Sequence, residues 1–136
     1  MNVFKYILLP ALLVSVQGQS LAAEERGSQD PPMQCIRLTS IQHISILDDS
    51  HIVFYMNNGR RYLNTLPYTC HGLKMSGTIL YRTSLSQVCD LDIITVLDSI
   101  GGEYRPGASC GLGAFEPITD QEIAKLKAEL KKAKKK

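Results

Sequence analysis

The sequence predicts an all-β domain, a small antiparallel barrel or sandwich of about five to six short strands that is disulfide-linked and carries a C-terminal α-helix. Short β-rich runs alternate with turn-forming residues from Cys35 to Phe115, and no helical period of useful length interrupts them. All four cysteines fall within the same stretch. A helix-capping pattern begins only afterwards, at Thr119, so the strands and the helix occupy separate parts of the chain.

Turn-forming residues divide the β region into strands. Asp48 to His51 and then Asn57 to Gly59 separate three apolar runs, which predicts a three-stranded meander. The pairs Gly101-Gly102 and Pro106-Gly107 are expected to break the chain before the last strand. The predicted strands cover residues 41–47, 52–56, 60–63, 78–82, 93–97 and 110–115.

The helix is predicted from Thr119 onward. Thr119 and Glu122 fit a capping box, and Ile123, Leu126 and Leu130 form a narrow apolar stripe that can dock on the strands or on a partner. We expect the terminal lysines to fray into solvent, where they complement the helix dipole or weakly contact an anionic surface of the envelope. These lysines are Lys131, Lys132, Lys134, Lys135 and Lys136.

The start of the chain has the organisation of a secretory signal. Lys5 supplies the positive charge, an apolar run from Tyr6 to Val16 follows, and the small residues that signal peptidase needs precede a cleavage site after Ala23 or Ala22. The apolar run is about a dozen residues, fewer than the roughly 20 that span a bilayer. We therefore predict a periplasmic or secreted protein, and the even number of cysteines predicts two disulfides.

The predicted organisation has four parts. They are a signal peptide (1–23), a disordered lead-in (24–34), the disulfide-linked β domain (35–117) and an amphipathic helix with a basic tail (118–136). The formal net charge is +2, and the charges of the β domain nearly balance. The charge distribution therefore creates no strong positive electrostatic potential that would favour nucleic acid as a partner.

Four cysteines allow three pairings, and the sequence alone does not choose among them. We favour Cys35 with Cys110 and Cys70 with Cys89. This nested arrangement would join the first and last strands of a closing barrel, and it would tie the loop before the strand at Ile79 to the loop after it.

Three constellations could carry chemistry, and each has a simpler structural explanation. An imidazole beside a thiol, as in Cys70-His71, can generate a thiolate, but an exported chain with an even cysteine count usually oxidises its thiols. The carboxylate pairs Asp48-Asp49 and Asp90-x-Asp92 could serve glycoside hydrolysis, yet the first suits a turn and the second a loop before a strand. Zinc would need closely spaced ligands, which the cysteines with His43, His51 and His71 do not provide.

Several short motifs are informative together: Cys35-Ile36, Leu47-Asp48-Asp49, Cys70-x-Gly72-Leu73, Cys89-x-x-Asp92 and Cys110-x-Leu112-Gly113-x-Phe115-x-Pro117-Ile118. They resemble a family of small secreted proteins of Gram-negative bacteria that is catalogued as a domain of unknown function. The similarity runs from about Cys35 to Leu126, and its motifs centre on the cysteines. In that family a glycine often stands between the third cysteine and the following aspartate, whereas Asp90-Leu91 fills this gap here.

We therefore expect a binding or interaction module of the cell envelope, with an envelope protein or ligand as its partner and no cofactor or metal. The sequence offers no credible nucleophile, metal cluster or cofactor loop, and a compact cross-linked domain of this kind more often binds than transforms. The alternative is a small envelope hydrolase or thiol enzyme that uses Asp48, Asp90 and Asp92 or the Cys70-His71 pair. A third hypothesis, from size, compartment and disulfides alone, is an inhibitor of a cell-wall-degrading enzyme.

Overall fold

A computed structural model describes residues 31–83 and 85–136, so the predicted signal peptide and residues 24–30 of the lead-in lie outside the described residues. Within these ranges the chain forms nine strands and two α-helices. The strands are β1 (Cys35–Arg37), β2 (Ile41–Ile46), β3 (His51–Met56), β4 (Arg61–Thr65), β5 (Ile79–Tyr81), β6 (Gln87–Cys89), β7 (Ile93–Ile100), β8 (Glu103–Gly111) and β9 (Phe115–Pro117). The helices are α1 (Leu73–Ser76) and α2 (Asp120–Ala133), and a 3₁₀ turn spans Leu38–Ser40.

The strands form three antiparallel sheets with the orders β1-β6, β2-β3-β4-β9 and β5-β7-β8. The all-β class, the sandwich and the C-terminal helix are confirmed, and the sheets do not close into a barrel. The structure has more strands than the sequence predicts. Two of the additional strands, β1 and β6, have three residues each, which is too short for an alternating pattern to reveal them.

The predicted meander is present as β2, β3 and β4. Asp48 Oδ1 accepts a hydrogen bond of 2.8 Å from Ser50 N in the first turn, so the short aspartate side chain fixes the backbone there. In the second turn Met56 N donates to Arg60 O at 2.9 Å, and Gly59 has a φ of 82° that glycine adopts without strain.

The second half of the sheet region differs from the prediction. Gly101 and Gly102, with φ of 63° and 84°, form the tight connection between β7 and β8. Strand β8 runs through Pro106-Gly107, where a break was expected. Proline is tolerated because β8 is the edge of its sheet, and the register shifts opposite it, between Thr95 and Leu97.

The described end of the predicted lead-in already makes backbone hydrogen bonds to the domain. Met33 N donates to Phe115 O at 2.8 Å, and Phe115 N donates to Met33 O at 2.9 Å. Gln34 O also accepts a hydrogen bond of 2.7 Å from Asp90 N. The backbone is thus already paired before β1 begins.

The four-stranded sheet is the central layer of the molecule. Side chains on one face, including Phe54 and Ile52, pack in the main core with residues of the other two sheets, such as Ile94 and Val88. The opposite face presents Val53 and packs against α2. Alternate residues of the same strands therefore pack into two different layers, because successive side chains of a β-strand point to opposite faces of the sheet.

Helix α2 docks through the predicted stripe. Ile123 is buried against Val53, and Leu126 and Leu130 pack on the same cluster. The capping box is confirmed, because Glu122 N donates to Thr119 Oγ1 while Glu122 Oε2 accepts from Thr119 N. The helix continues to Ala133, so the first lysines of the tail are helical rather than frayed.

The cysteine pairs are Cys35–Cys89 and Cys70–Cys110, so the favoured nested pairing was wrong. Cys35 and Cys89 lie directly opposite each other in the β1-β6 ladder, with their Cα atoms 3.9 Å apart. Cys70 is buried beneath the β5-β7-β8 sheet, whose strand β8 carries Cys110. The pairing follows from two short strands that the sequence pattern does not reveal.

Candidate functional site

The thiol hypothesis does not fit the structure, because all four cysteines are oxidised. Cys70 is completely buried and bonded to Cys110, whereas the neighbouring residue His71 is exposed to solvent. A disulfide sulfur in the core has no thiolate to offer as a nucleophile. The motif Cys70-x-Gly72-Leu73 instead starts α1, where Gly72 has a φ of 83° and Leu73 is buried.

The first carboxylate pair stabilises the β2-β3 turn and anchors α1. Asp48 Oδ1 accepts hydrogen bonds of 2.8 Å from Ser50 N and from His51 Nδ1. Asp49 Oδ1 accepts one of 2.8 Å from Lys74 N. Burial raises the pKa of Asp48, but the hydrogen bonds from Ser50 and His51 and the charge of His51 together outweigh it and hold the pKa below its ordinary value.

The second carboxylate pair belongs to another turn. Asp92 Oδ2 accepts a hydrogen bond of 2.7 Å from Cys89 N, and Asp92 N donates to Cys89 O at 3.2 Å. Leu91, the third residue of this turn, has a φ of 68°. The carboxylates of Asp48 and Asp92 are therefore each committed to their own turn by a hydrogen bond from the backbone, whereas Asp90 is placed by its backbone N, which donates to Gln34 O.

The histidines take ordinary structural roles. His43 stacks on Tyr55 with ring centroids 4.2 Å apart, and His51 bonds to Asp48. Within residues 31–83 and 85–136, no group of three or more His, Cys, Asp and Glu side chains converges to hold a metal ion.

Four lysines line a single groove on the surface of the described structure. A groove of about 300 Å³ lies between the C-terminal half of α2 and the end of β2, and we call it the lysine groove. Its base is aliphatic, and four ammonium-bearing side chains surround it. The lining residues are Ser45, Ile46, Leu47, Lys74, Lys127, Leu130, Lys131 and Lys134.

Helical spacing brings three of these lysines together. Lys127, Lys131 and Lys134 are separated by four and three residues, so they lie on one face of α2, and they flank Leu130. Their methylene chains can cover apolar surface while the ammonium groups stay in water. The apolar contact of Leu130 with the sheet places this face over the end of β2.

Lys74 reaches the groove from α1, far away in the sequence. Its Nζ donates to Ile46 O at 2.7 Å, and its backbone N is held by Asp49. Of the described residues that line the groove, none is acidic. The lysine groove therefore concentrates positive charge over an apolar base, which suits an anion with an apolar part.

A second cleft, at the other end of α2, is electrostatically different. It encloses about 370 Å³ and is lined by Arg61 and Asp120 among others. Arg61 Nε lies 2.8 Å from Asp120 Oδ1, so these opposite charges neutralise each other. The lysine groove has no such internal partner among its lining residues.

The sequence predicts only part of this site. Lys131 and Lys134 belong to the predicted basic tail, whereas Lys127 and Lys74 are not among the predicted functional residues. The i, i+4 spacing of Lys127 and Lys131 beside the apolar stripe could have revealed the first. No local pattern could have revealed Lys74, because its place in the groove depends on a tertiary contact with β2.

The fold and the groove define a class of small proteins: a β-sandwich with two disulfides, a docked C-terminal helix and a lysine-lined surface site. The chain matches the model of the family of unknown function DUF6491 over residues 5–134 and belongs to that family. The resemblance to a domain of unknown function is thereby confirmed. Comparison with curated proteins and with solved structures found no match.

Proposed function

We propose that this protein is a non-catalytic binding module of the cell envelope and that the lysine groove binds an anionic ligand. The observation that carries the proposal is the convergence of Lys74, Lys127, Lys131 and Lys134 on one groove with an aliphatic base. Convergent polar groups on an apolar concave surface are the usual features of a ligand site.

The competing hydrolase hypothesis is less well supported. A general acid in glycoside hydrolysis needs a raised pKa, whereas hydrogen bonds and charge lower the pKa of Asp48 despite its burial. Asp92 is engaged with the backbone of its own turn. The carboxylates of Asp48 and Asp92 thus have structural roles that account for their positions.

The envelope location rests on the disulfides and on the predicted signal peptide. Two intact disulfides fit the periplasm or the cell exterior, because reducing conditions keep cytosolic thiols free. None of the helices in the described part of the chain has the length and apolar character needed to cross a membrane. No specific contact favours the hypothesis of an inhibitor of a cell-wall-degrading enzyme, so we do not propose it.

The proposal is tested with 8-anilinonaphthalene-1-sulfonate, an anion with an apolar ring system whose fluorescence rises on binding. We expect the wild-type protein to bind this probe and the double variant Lys127→Glu/Lys131→Glu to bind it at least about tenfold more weakly, because two attractive charges become repulsive. The matched control is Lys125→Glu/Lys132→Glu, which makes the same change of charge on the same helix outside the groove.

The control variant should keep near-wild-type affinity, and circular dichroism with thermal melting should show that both variants are folded. Equal weakening in the two variants would mean that only net charge matters. That result, or an absence of probe binding to the wild type, would contradict the assignment of the groove.

A further inference from the structure

We propose that the lysine groove is a docking site for an anionic phospholipid bilayer, with a lipid phosphate between the lysines and Met75 inserted beside it. This inference rests on the proposed function, because it names the ligand of the same groove. A second surface feature is an exposed apolar tip, which consists of Met75 in α1 and Tyr68 in the loop before α1.

Met75 is the most informative residue of this tip. It follows Lys74 directly in α1, and its side chain is 92% exposed. Tyr68, in the preceding loop, is 85% exposed. Apolar side chains beside a basic site are typical of surfaces that enter the boundary between headgroups and acyl chains, where aromatic rings and lysines are also favoured.

The tip is rigidly held, so insertion would require little ordering of the chain. Cys70 is linked to Cys110, and its backbone N donates to Asp49 O at 2.7 Å. Leu73 is fully buried in the main core, and Ser76 Oγ donates to Leu97 O. Met75 thus projects from a helical turn that is fixed on both sides.

Charge complementarity identifies the occupant as an anionic surface. Each lysine near an anionic bilayer strengthens binding about fivefold at modest ionic strength. The groove contributes four lysines, and Lys135 and Lys136 follow at the same end of α2. The aliphatic base of Ile46, Leu47 and Leu130 can contact the first methylene groups of the bound lipid.

The experiment is vesicle sedimentation with the protein that begins at residue 24, after the predicted signal peptide. Phosphatidylcholine vesicles are compared with vesicles containing about 30% phosphatidylglycerol at about 0.1 M salt, where screening is moderate. The variants are the groove pair Lys127→Glu/Lys131→Glu, the control pair Lys125→Glu/Lys132→Glu, Met75→Ser and Leu85→Ser. Leu85 is an exposed apolar residue away from α1 and serves as the control for Met75.

We expect binding to the anionic vesicles only. The groove pair should weaken it at least about twentyfold, since two lysines are lost and two like charges are added. Met75→Ser should weaken it about five- to tenfold through lost apolar burial, and Leu85→Ser should have no effect. The control pair should retain at least half of the bound fraction.

Equal loss in both charge pairs, or no effect of Met75→Ser, would overturn the docking geometry. Binding of the fluorescent sulfonate without binding to vesicles would overturn the bilayer as ligand while leaving the proposed function intact. Displacement of the sulfonate by millimolar glycerol 3-phosphate in the absence of vesicle binding would assign the groove to a soluble phosphate. Failure of both the sulfonate and the vesicles would remove both proposals.

Discussion

Asn64 and Gly113 exchange two hydrogen bonds across 49 positions of the chain. Asn64 Nδ2 donates to Gly113 O at 2.7 Å, and Gly113 N donates to Asn64 Oδ1 at 2.8 Å. Asn64 is fully buried in β4, so its amide acts as a short piece of backbone that pairs the segment before β9. A Cβ atom at Gly113 would clash with the carbonyl oxygen of Thr65, which explains the glycine in the Leu112-Gly113 motif.

Asn64→Ala should lower the free energy of unfolding by about 2 to 4 kcal/mol, because both backbone groups of Gly113 lose their partner. Urea denaturation measures this change. The matched control is Asn57→Ala, which removes an exposed side chain that donates to Thr39 O at 3.1 Å and should cost less than about 1 kcal/mol. Similar costs for the two variants would show that the buried amide pair does not hold the segment.

Peptide mapping under non-reducing conditions should yield the Cys35–Cys89 and Cys70–Cys110 pairs. Replacing Cys70 and Cys110 together by Ala should destabilise the protein by about 2 to 5 kcal/mol, as expected for a native disulfide in a small domain. Thermal melting with and without reductant measures the loss, since the variant should respond less to reductant than the wild type. Recovery of a peptide that joins Cys35 to Cys110 would contradict the structure.

Asp48→Asn should reduce stability most at neutral pH. The native pKa of Asp48 lies below its ordinary value of 3.8, so the charged carboxylate stabilises the fold above that pH. This contribution is lost as the pH falls through the lower native pKa. The difference in melting temperature between wild type and variant should therefore be full near pH 6 and should shrink as the pH falls below about 4.

The control for Asp48 is Glu116→Gln, which neutralises an exposed carboxylate on β9. It should leave the pH profile of stability nearly unchanged. An Asp48→Asn effect that is constant from neutral to acidic pH would mean that the charge of Asp48 contributes nothing beyond its hydrogen-bond acceptors.

The elements that the sequence predicts best are those with strong local patterns. Strands β2, β3 and β4 alternate clearly, and their turns carry Asp48-Asp49 and Asn58-Gly59, so local chemistry sets both the strands and their order. Helix α2 begins at Asp120, directly after the predicted N-cap Thr119, because the capping box satisfies the free backbone groups there.

The features that escaped prediction depend on remote contacts. Strands β1 and β6 are stable because they pair with each other across 54 positions at Cys35 and Cys89, and no local period marks them. The disulfide pairing follows from that contact. The lysine groove also depends on a remote contact. Helical spacing along α2 brings three of its lysines together, whereas Lys74 reaches the groove through the hydrogen bond from its Nζ to Ile46 O.

Leu91 has a φ of 68°, which lies in the left-handed region. A non-glycine residue there is strained by about 1 to 2 kcal/mol, because its Cβ atom crowds the following carbonyl oxygen. The third position of such a turn favours glycine. The Leu91 side chain is 77% exposed, so little packing offsets the strain.

Leu91→Gly should therefore stabilise the protein by about 0.5 to 1 kcal/mol after the extra freedom of glycine in the unfolded chain is subtracted. The melting temperature should rise by several degrees for a domain of this size. Leu80→Gly is the control, because Leu80 is also exposed but lies in the extended strand β5, and it should be destabilising. A fall in the melting temperature of Leu91→Gly would show that the leucine side chain contributes contacts that exceed the backbone strain.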